Sequence, residues 1–360
     1  MTGLGRLGPR IARPVLAVVA GAAVAILPAA CGGTGTHSSG PKPEVSGPLH
    51  GWTPPHPEAL SPLPDYQAAV QAAVAVHLKV WIETDLVKRW EEGPGWFRTT
   101  VKRVAELANQ QGVVGIKIAD ELGYNDGMNS ASKISKFLSD AAQALHAAAP
   151  GKLILVDMVV PQLGCLPGHQ VPGSPAASCA RREQAAYPQL ALPEVDRYLR
   201  VHAIDVLDLS TYLLDDDTYK GWGATADSAQ TAAWQEVNKR GWAGVVRLQA
   251  RKALAHPGAY RGGSAASSAD IQTYVDIPLA HDAHAVDIWT WNQLYEGQEY
   301  RLMNPGMEPN ALWHQLERLR RAGDVLFTHF SPHSVISSLH NDLAEIATVF
   351  TDVFLPAGTG

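Results

Sequence analysis

The chain has 360 residues, 46% of them hydrophobic and 18% charged, with a formal net charge of −6. A chain of this length buries enough apolar surface to fold without a disulfide scaffold, and its apolar content is too high for a disordered protein. The acidic balance excludes the basic footprint of a nucleic-acid-binding protein, so no nucleic-acid partner is expected.

The N-terminus reads as an address. Arg6, Arg10 and Arg13 precede a continuous apolar run over residues 14–30 (PVLAVVAGAAVAILPAA), and small residues lead up to Cys31. This order predicts a signal peptide over residues 1–30. The run Leu27-Pro28-Ala29-Ala30-Cys31 resembles the processing site of bacterial lipoproteins. That resemblance implies that Cys31 is lipidated, becomes the new N-terminus and anchors the protein to the outer face of the cell membrane. A freely secreted product and an uncleaved membrane anchor are the other readings. Residues 31–47 are Gly-, Ser-, Thr- and Pro-rich and predict a flexible tether. No later apolar run reaches the ~18 residues that a membrane-spanning helix needs.

From residue 48 onward, short β-branched runs alternate with helical patterns. Strands are predicted near 48–53, 78–84, 113–121, 152–160, 204–212, 243–251, 285–292 and 324–330. Apolar residues three and four apart predict the intervening helices; FRTTVKRVAELANQQ (97–111), for example, places Val101, Val104 and Leu107 on one face. Eight strand–helix units predict an α/β fold, a (β/α)8 TIM barrel over residues 48–360. A doubly wound open sheet is the rival, but no Gly-x-Gly-x-x-Gly opens any helix. The longest connection, 161–192, holds Cys165 and Cys179. In an exported protein these two predict a disulfide-closed loop. Two free thiols, or a metal site with His169 nearby, remain the alternatives.

Alternation along each strand divides the side chains between the helix layer and the barrel axis. Apolar positions such as Val80, Ile82, Ile116, Ile154 and Val156 go outward. That leaves Lys79, Trp81 and Glu83, then Lys117 and Glu121, then Leu155 and Asp157, for the interior. Asp208, Ser210 and Tyr212 follow, then Arg247 and Arg251, then Asp287, Trp289 and Trp291; in the last strand Phe327, His329 and Ser331 are one option. Buried charges are costly unless paired, so mutual neutralisation in layered ion pairs is one reading of this set. Active sites of this fold lie at the C-terminal rim, which makes Glu83, Glu121, Asp157, Tyr212, Arg251 and Trp291 candidates for chemistry.

The segments KIADELGYND (117–126), VLDLSTYLLDD (206–216) and VDIWTWNQ (286–293) resemble the TIM-barrel glycoside hydrolases. The resemblance implies an extracytoplasmic, lipid-anchored enzyme that acts on an oligo- or polysaccharide through two carboxyl groups. It implies Glu121 as general acid and Asp208 or Asp157 as base or nucleophile. Glu83, Tyr212, Arg247 and Asn292 would hold the substrate, with Trp81, Trp289 and Trp291 as a sugar platform. The alternative is a carbohydrate-binding lipoprotein on a barrel without catalysis. The histidines His50, His56, His329 and His333 follow no recognised ligand order, so no metal is expected. With no phosphate loop and no Gly-x-Ser-x-Gly elbow, no cofactor and no serine nucleophile are expected.

Overall fold

The described residues form eleven strands: β1 (Lys79–Glu83), β2 (Val113–Lys117), β3 (Leu153–Val159), β4 (Val206–Ser210), β5 (Val246–Gln249), β6 (His256–Pro257), β7 (Ala285–Ile288), β8 (Asn292–Tyr295), β9 (Gln298–Arg301), β10 (Leu326–His329) and β11 (Asp352–Pro356). They belong to a computed structural model that describes residues 64–201, 203–249, 254–295 and 297–358. The signal segment, Cys31, the tether, the strand expected at 48–53 and Arg251 lie outside the described residues, and so does the side chain of Arg247.

Eight strands close into a parallel barrel in the order β1-β2-β3-β4-β5-β7-β10-β11, and β11 returns to pair with β1. This closure excludes the open doubly wound sheet. The chain therefore folds as a TIM barrel, with one strand reassigned. Among the described residues the barrel is closed by β11, the C-terminal DVFLP segment, which pairs with β1 from Lys79↔Asp352 to Glu83↔Pro356. The helix Pro64–Ala75 precedes β1 and packs against β11 and the last helix, Leu339–Val349.

Local chemistry sets the helix ends. Ser338 caps Leu339–Val349 by accepting from the Asn341 amide, and Asn310 caps Ala311–Ala322 through the Trp313 amide. The latter helix stops at Gly323, whose φ of 95° suits a residue without Cβ. Cys165 and Cys179 form the expected disulfide, with Cα atoms 5.7 Å apart. It ties the turn Pro161–Cys165 to the helix Pro175–Ala186.

Inside the barrel, Trp81, Leu155, Val206, Ala285, Phe327 and Phe354 make one apolar layer. Two residues further along the same strands come Glu83, Asp157, Asp208, Asp287 and His329, and Lys117 stands two after Gly115. The two-residue strand period thus lays a tier of ionisable groups on a dry apolar floor. Gly115 is part of that floor: a Cβ there would lie 2.3 Å from the Trp81 ring. Outside the barrel, Val80, Ile82, Ile116, Ile154, Val156, Leu207, Val286 and Val353 pack against the helices.

Candidate functional site

The ionisable tier is wired together at the C-terminal ends of the strands. Lys117, with no exposed side-chain surface, donates from Nζ to Glu83 Oε1 at 2.7 Å and to Asp120 Oδ1 at 3.0 Å. Asp157 Oδ2 lies 3.7 Å from the same nitrogen. His329 Nδ1 is 3.0 Å from Glu83 Oε2, and its Nε2 is 3.0 Å from Asp287 Oδ2. A ring flanked by ionised carboxylates on both nitrogens is favoured as the imidazolium, which donates to both. Burial alone would lower its pKa, but the charges of Glu83 and Asp287 outweigh that and push it up to about 9. Burial would raise the Glu83 pKa, yet His329 and Lys117 hold it well below the usual carboxylate range. Phe354 lies under both cations, with its ring 4.8 Å from that of His329 and 5.4 Å from Lys117 Nζ.

Above this network opens a cavity of about 510 Å³ whose wall includes Glu83, Asp85, Asp120, Trp289, Asn292, Gln293, Leu294 and His329. Three acids and one base line it. Glu83 ends β1 and keeps 24% of its side chain exposed, while Asp120 is 48% exposed. Asp85 stands two residues after Glu83 and caps the helix Leu86–Glu91, its carboxylate accepting from the Val87 amide at 3.0 Å. On the opposite wall the chain leaves β7 through Trp289. The Trp289 indole donates to Gln293 Oε1 at 2.9 Å, and the Thr290 hydroxyl donates to the His329 carbonyl at 3.1 Å. Asn292 is fixed from both sides, donating to the Ser334 carbonyl and accepting from Arg301 Nε.

Of the residues expected in a site, Glu83, Trp289 and Asn292 meet at this cavity. Glu121 does not line it. β2 ends at Lys117, and Glu121 sits half-buried in the following loop with a φ of 50°, accepting from Asn125. Asp157 and Asp208 face each other in the β3–β4 register and are fully buried, below any surface a substrate reaches. Tyr212 accepts a hydrogen bond from the Tyr124 hydroxyl at 3.2 Å and lies outside the cavity wall.

The sugar platform does not form. Trp81 is part of the apolar floor, and its indole donates to Asp352 at 3.0 Å. Trp291 points the other way, into the helix layer. It is fully buried against Trp313 at 5.6 Å and donates to Asp342. The strand alternation fails there because β7 ends at Ile288, before either tryptophan. Trp90 likewise binds Asp140 between helices. Among the described residues Trp289 is the one tryptophan on the cavity wall. Two acids, Asp85 and Asp120, escaped the sequence reading because they follow the strand ends, where alternation no longer assigns a side. Their signal is proximity: Asp120 stands three residues after Lys117 and bonds it. No group of three or more His, Cys, Asp or Glu residues suited to a metal occurs among the described residues.

No family model matches the chain, and no curated protein matches it in sequence. Among solved structures, the carboxyl transferase domain of Rhizobium etli pyruvate carboxylase aligns with a TM-score of 0.39 and 12% identity, covering 83% of this chain and 42% of that one. Methylaspartate ammonia lyase from Clostridium tetanomorphum aligns with a TM-score of 0.41 and 9% identity, covering 79% and 54%. The chain thus spans about half or less of these neighbours' lengths, and the likeness concerns chain path only. Neither neighbour is a glycoside hydrolase. The expectation of a glycoside-hydrolase-like enzyme, with its carbohydrate-binding alternative, is corrected: Glu121 is outside the cavity, Asp157 and Asp208 are sealed beneath it, and Trp81 and Trp291 are structural.

Proposed function

We propose that the barrel mouth is a binding site for a small organic cation, an amine or a guanidine. The observation behind this reading is Glu83, a carboxylate kept ionised by Lys117 and His329 yet open to the cavity. Asp85 and Asp120 stand beside it, so three carboxylates and one imidazolium line the cavity, and the local excess of negative charge concentrates ligands of the opposite sign. Trp289 adds an aromatic wall, which favours a cation by roughly 0.5–2 kcal/mol where its face is reached. Proton-transfer chemistry fits the same groups poorly. Both nitrogens of His329 are already bonded to carboxylates, and a carboxylate with a strongly lowered pKa is a weak base.

Calorimetry of the whole protein with guanidinium, ethylammonium and putrescine tests the reading. Binding should weaken as salt rises, because exposed charges are screened. Asp120→Asn, at the exposed end of the acid cluster, should reduce affinity several-fold. A protein that binds uncharged isosteres as well as amines would remove the basis for the proposal.

The address segment supports a second part of the reading, that the protein is exported and held at the outer face of the cell membrane by a lipid on Cys31. The basic, apolar and small-residue regions in sequence, ending at that cysteine, support it, and the Cys165–Cys179 disulfide suits an oxidising compartment. Intact mass of the membrane fraction should show loss of residues 1–30 and a lipid on Cys31, and Cys31→Ala should abolish both. An unmodified N-terminus on the native protein would contradict anchoring.

A further inference from the structure

Part of the cavity wall carries hydroxyl groups. The helix Pro64–Ala75 buries Tyr66, Ala69, Val70 and Ala73 along one face, and Tyr66, in its first turn, lines the cavity. The Tyr66 ring meets His333 edge-on at 5.5 Å and lies against Gly358, where a Cβ would stand 2.6 Å from it. Gly358 comes two residues after Pro356, the register partner of Glu83, and the Ala357 amide donates to the Glu83 carbonyl at 2.8 Å. Tyr66 is only 8% exposed, yet its Oη has no hydrogen-bond partner among the described residues. A buried phenol ordinarily pairs its hydroxyl, and an unpaired one costs stability. The oxygen is not sealed in, and the opening that Tyr66 lines is this cavity. Ser331 and Ser334 line the same cavity. Ser331 Oγ accepts from the His333 amide at 3.3 Å, and the Ser334 hydroxyl bonds nothing among the described residues.

Burial pushes the Tyr66 pKa up, and the charge of Asp65 adds to the rise, so the phenol keeps its proton. We infer that Tyr66 is a specificity-determining residue of the barrel mouth and that the ligand is an amino alcohol, its ammonium group at Glu83 and its hydroxyl at Tyr66 Oη. This rests on the cation-site reading and names a second functional group on the ligand. A ligand hydroxyl both donates and accepts, so it pairs with Tyr66 whichever way the phenol proton turns. A plain alkylammonium ion would leave Tyr66 unpaired.

The test is calorimetry on the whole protein with amino alcohols and the alkylamines that carry a methyl group in place of the hydroxyl. The pairs are ethanolamine with propylamine, 3-aminopropanol with butylamine, and 4-aminobutanol with pentylamine, which step the spacer between the two groups. In at least one pair the amino alcohol should bind roughly three- to tenfold more tightly to the native protein, the gain from one neutral hydrogen bond. Tyr66→Phe keeps the ring against Gly358 and should bring that pair within about twofold. Its thermal midpoint should not fall, because no protein hydrogen bond is lost; a fall would show that the hydroxyl is already paired within the fold and overturn the inference. Equal affinities in every pair, or a preference that survives in Tyr66→Phe, also overturn it and leave the cation site standing. If none of the amines binds, both readings fall.

Discussion

His329 and Glu83, 246 positions apart in sequence, lie 3.0 Å from each other at the mouth of the barrel. β11 is what brings them together: it pairs with β10 on one side and β1 on the other, so the C-terminal strand seats His329 beside Glu83. Each group sets the charge of the other. Glu83 helps to keep the imidazole protonated, and His329 helps to keep the carboxylate ionised.

Removing one partner should expose this dependence. In Glu83→Gln, His329 and the fully buried Lys117 both lose an anionic partner. The His329 pKa should fall from about 9, as read by imidazole NMR. The fold should lose roughly 1–3 kcal/mol in urea unfolding, the cost of one charged hydrogen-bond partner removed while Asp287 still pairs His329 and Asp120 still pairs Lys117. An unchanged imidazole titration would mean that Glu83 is not its principal counter-charge.

Stability should fall on both sides of neutrality. The folded pKa of His329 is raised above its ordinary 6.5, so its contribution is fully present below that value and is lost as pH rises through about 9. The folded pKa of Glu83 is lowered from its ordinary 4.5, so its contribution is present above that value and is lost as the medium becomes more acidic. Urea midpoints measured from pH 2 to 10 should therefore decline below about 4.5 and again above about 6.5. His329→Gln should flatten the alkaline side, and a native profile level between pH 7 and 10 would refute the paired imidazolium.

The floor beneath the site should resist even one added methyl group. Gly115→Ala places a Cβ 2.3 Å from the Trp81 ring and 2.7 Å from the Leu153 carbonyl. Neither neighbour is free to retreat, because Trp81 is held by Asp352 and the carbonyl is backbone. A loss of about 1–3 kcal/mol is expected by chemical denaturation. Trp81→Phe combined with Gly115→Ala should recover part of it, and a neutral Gly115→Ala would show that the floor is looser than drawn.

The disulfide should act on the loop and not on the cavity. Its cysteines are separated by 14 positions, and cross-linking a loop of that size stabilises by about 3 kcal/mol. Cys165→Ala with Cys179→Ala should lower the thermal midpoint accordingly, and a reducing agent should produce the same shift in the native protein. Amine binding should be unchanged, since neither cysteine lines the cavity.

Much of the barrel was legible from residues alone because strand alternation is a local property. Val80 and Ile82 on one face, with Trp81 and Glu83 on the other, state the two sides of β1 without any structure. The same rule failed where strands stop. Glu121 and Trp291 lie past the ends of β2 and β7, and the loop path alone decides where they point. β11 was missed for another reason. DVFLP is five residues long and follows the last helix, and only the need of β1 for a second neighbour identifies it as the closing strand.

By itself, the sequence determined most of the repeating strand–helix order and put Glu83, Lys117, Asp157, Asp208 and Asp287 on the axial faces of their strands, since each follows from spacing, residue type or a two-residue period. The tertiary structure alone decided which charges meet. Glu83, Lys117, Asp287 and His329 come from four strands, and their contacts depend on barrel closure and on the register between neighbours. The same closure sealed Asp157 and Asp208 below the surface, left Glu83 open, and so moved the candidate site to the mouth beside Trp289.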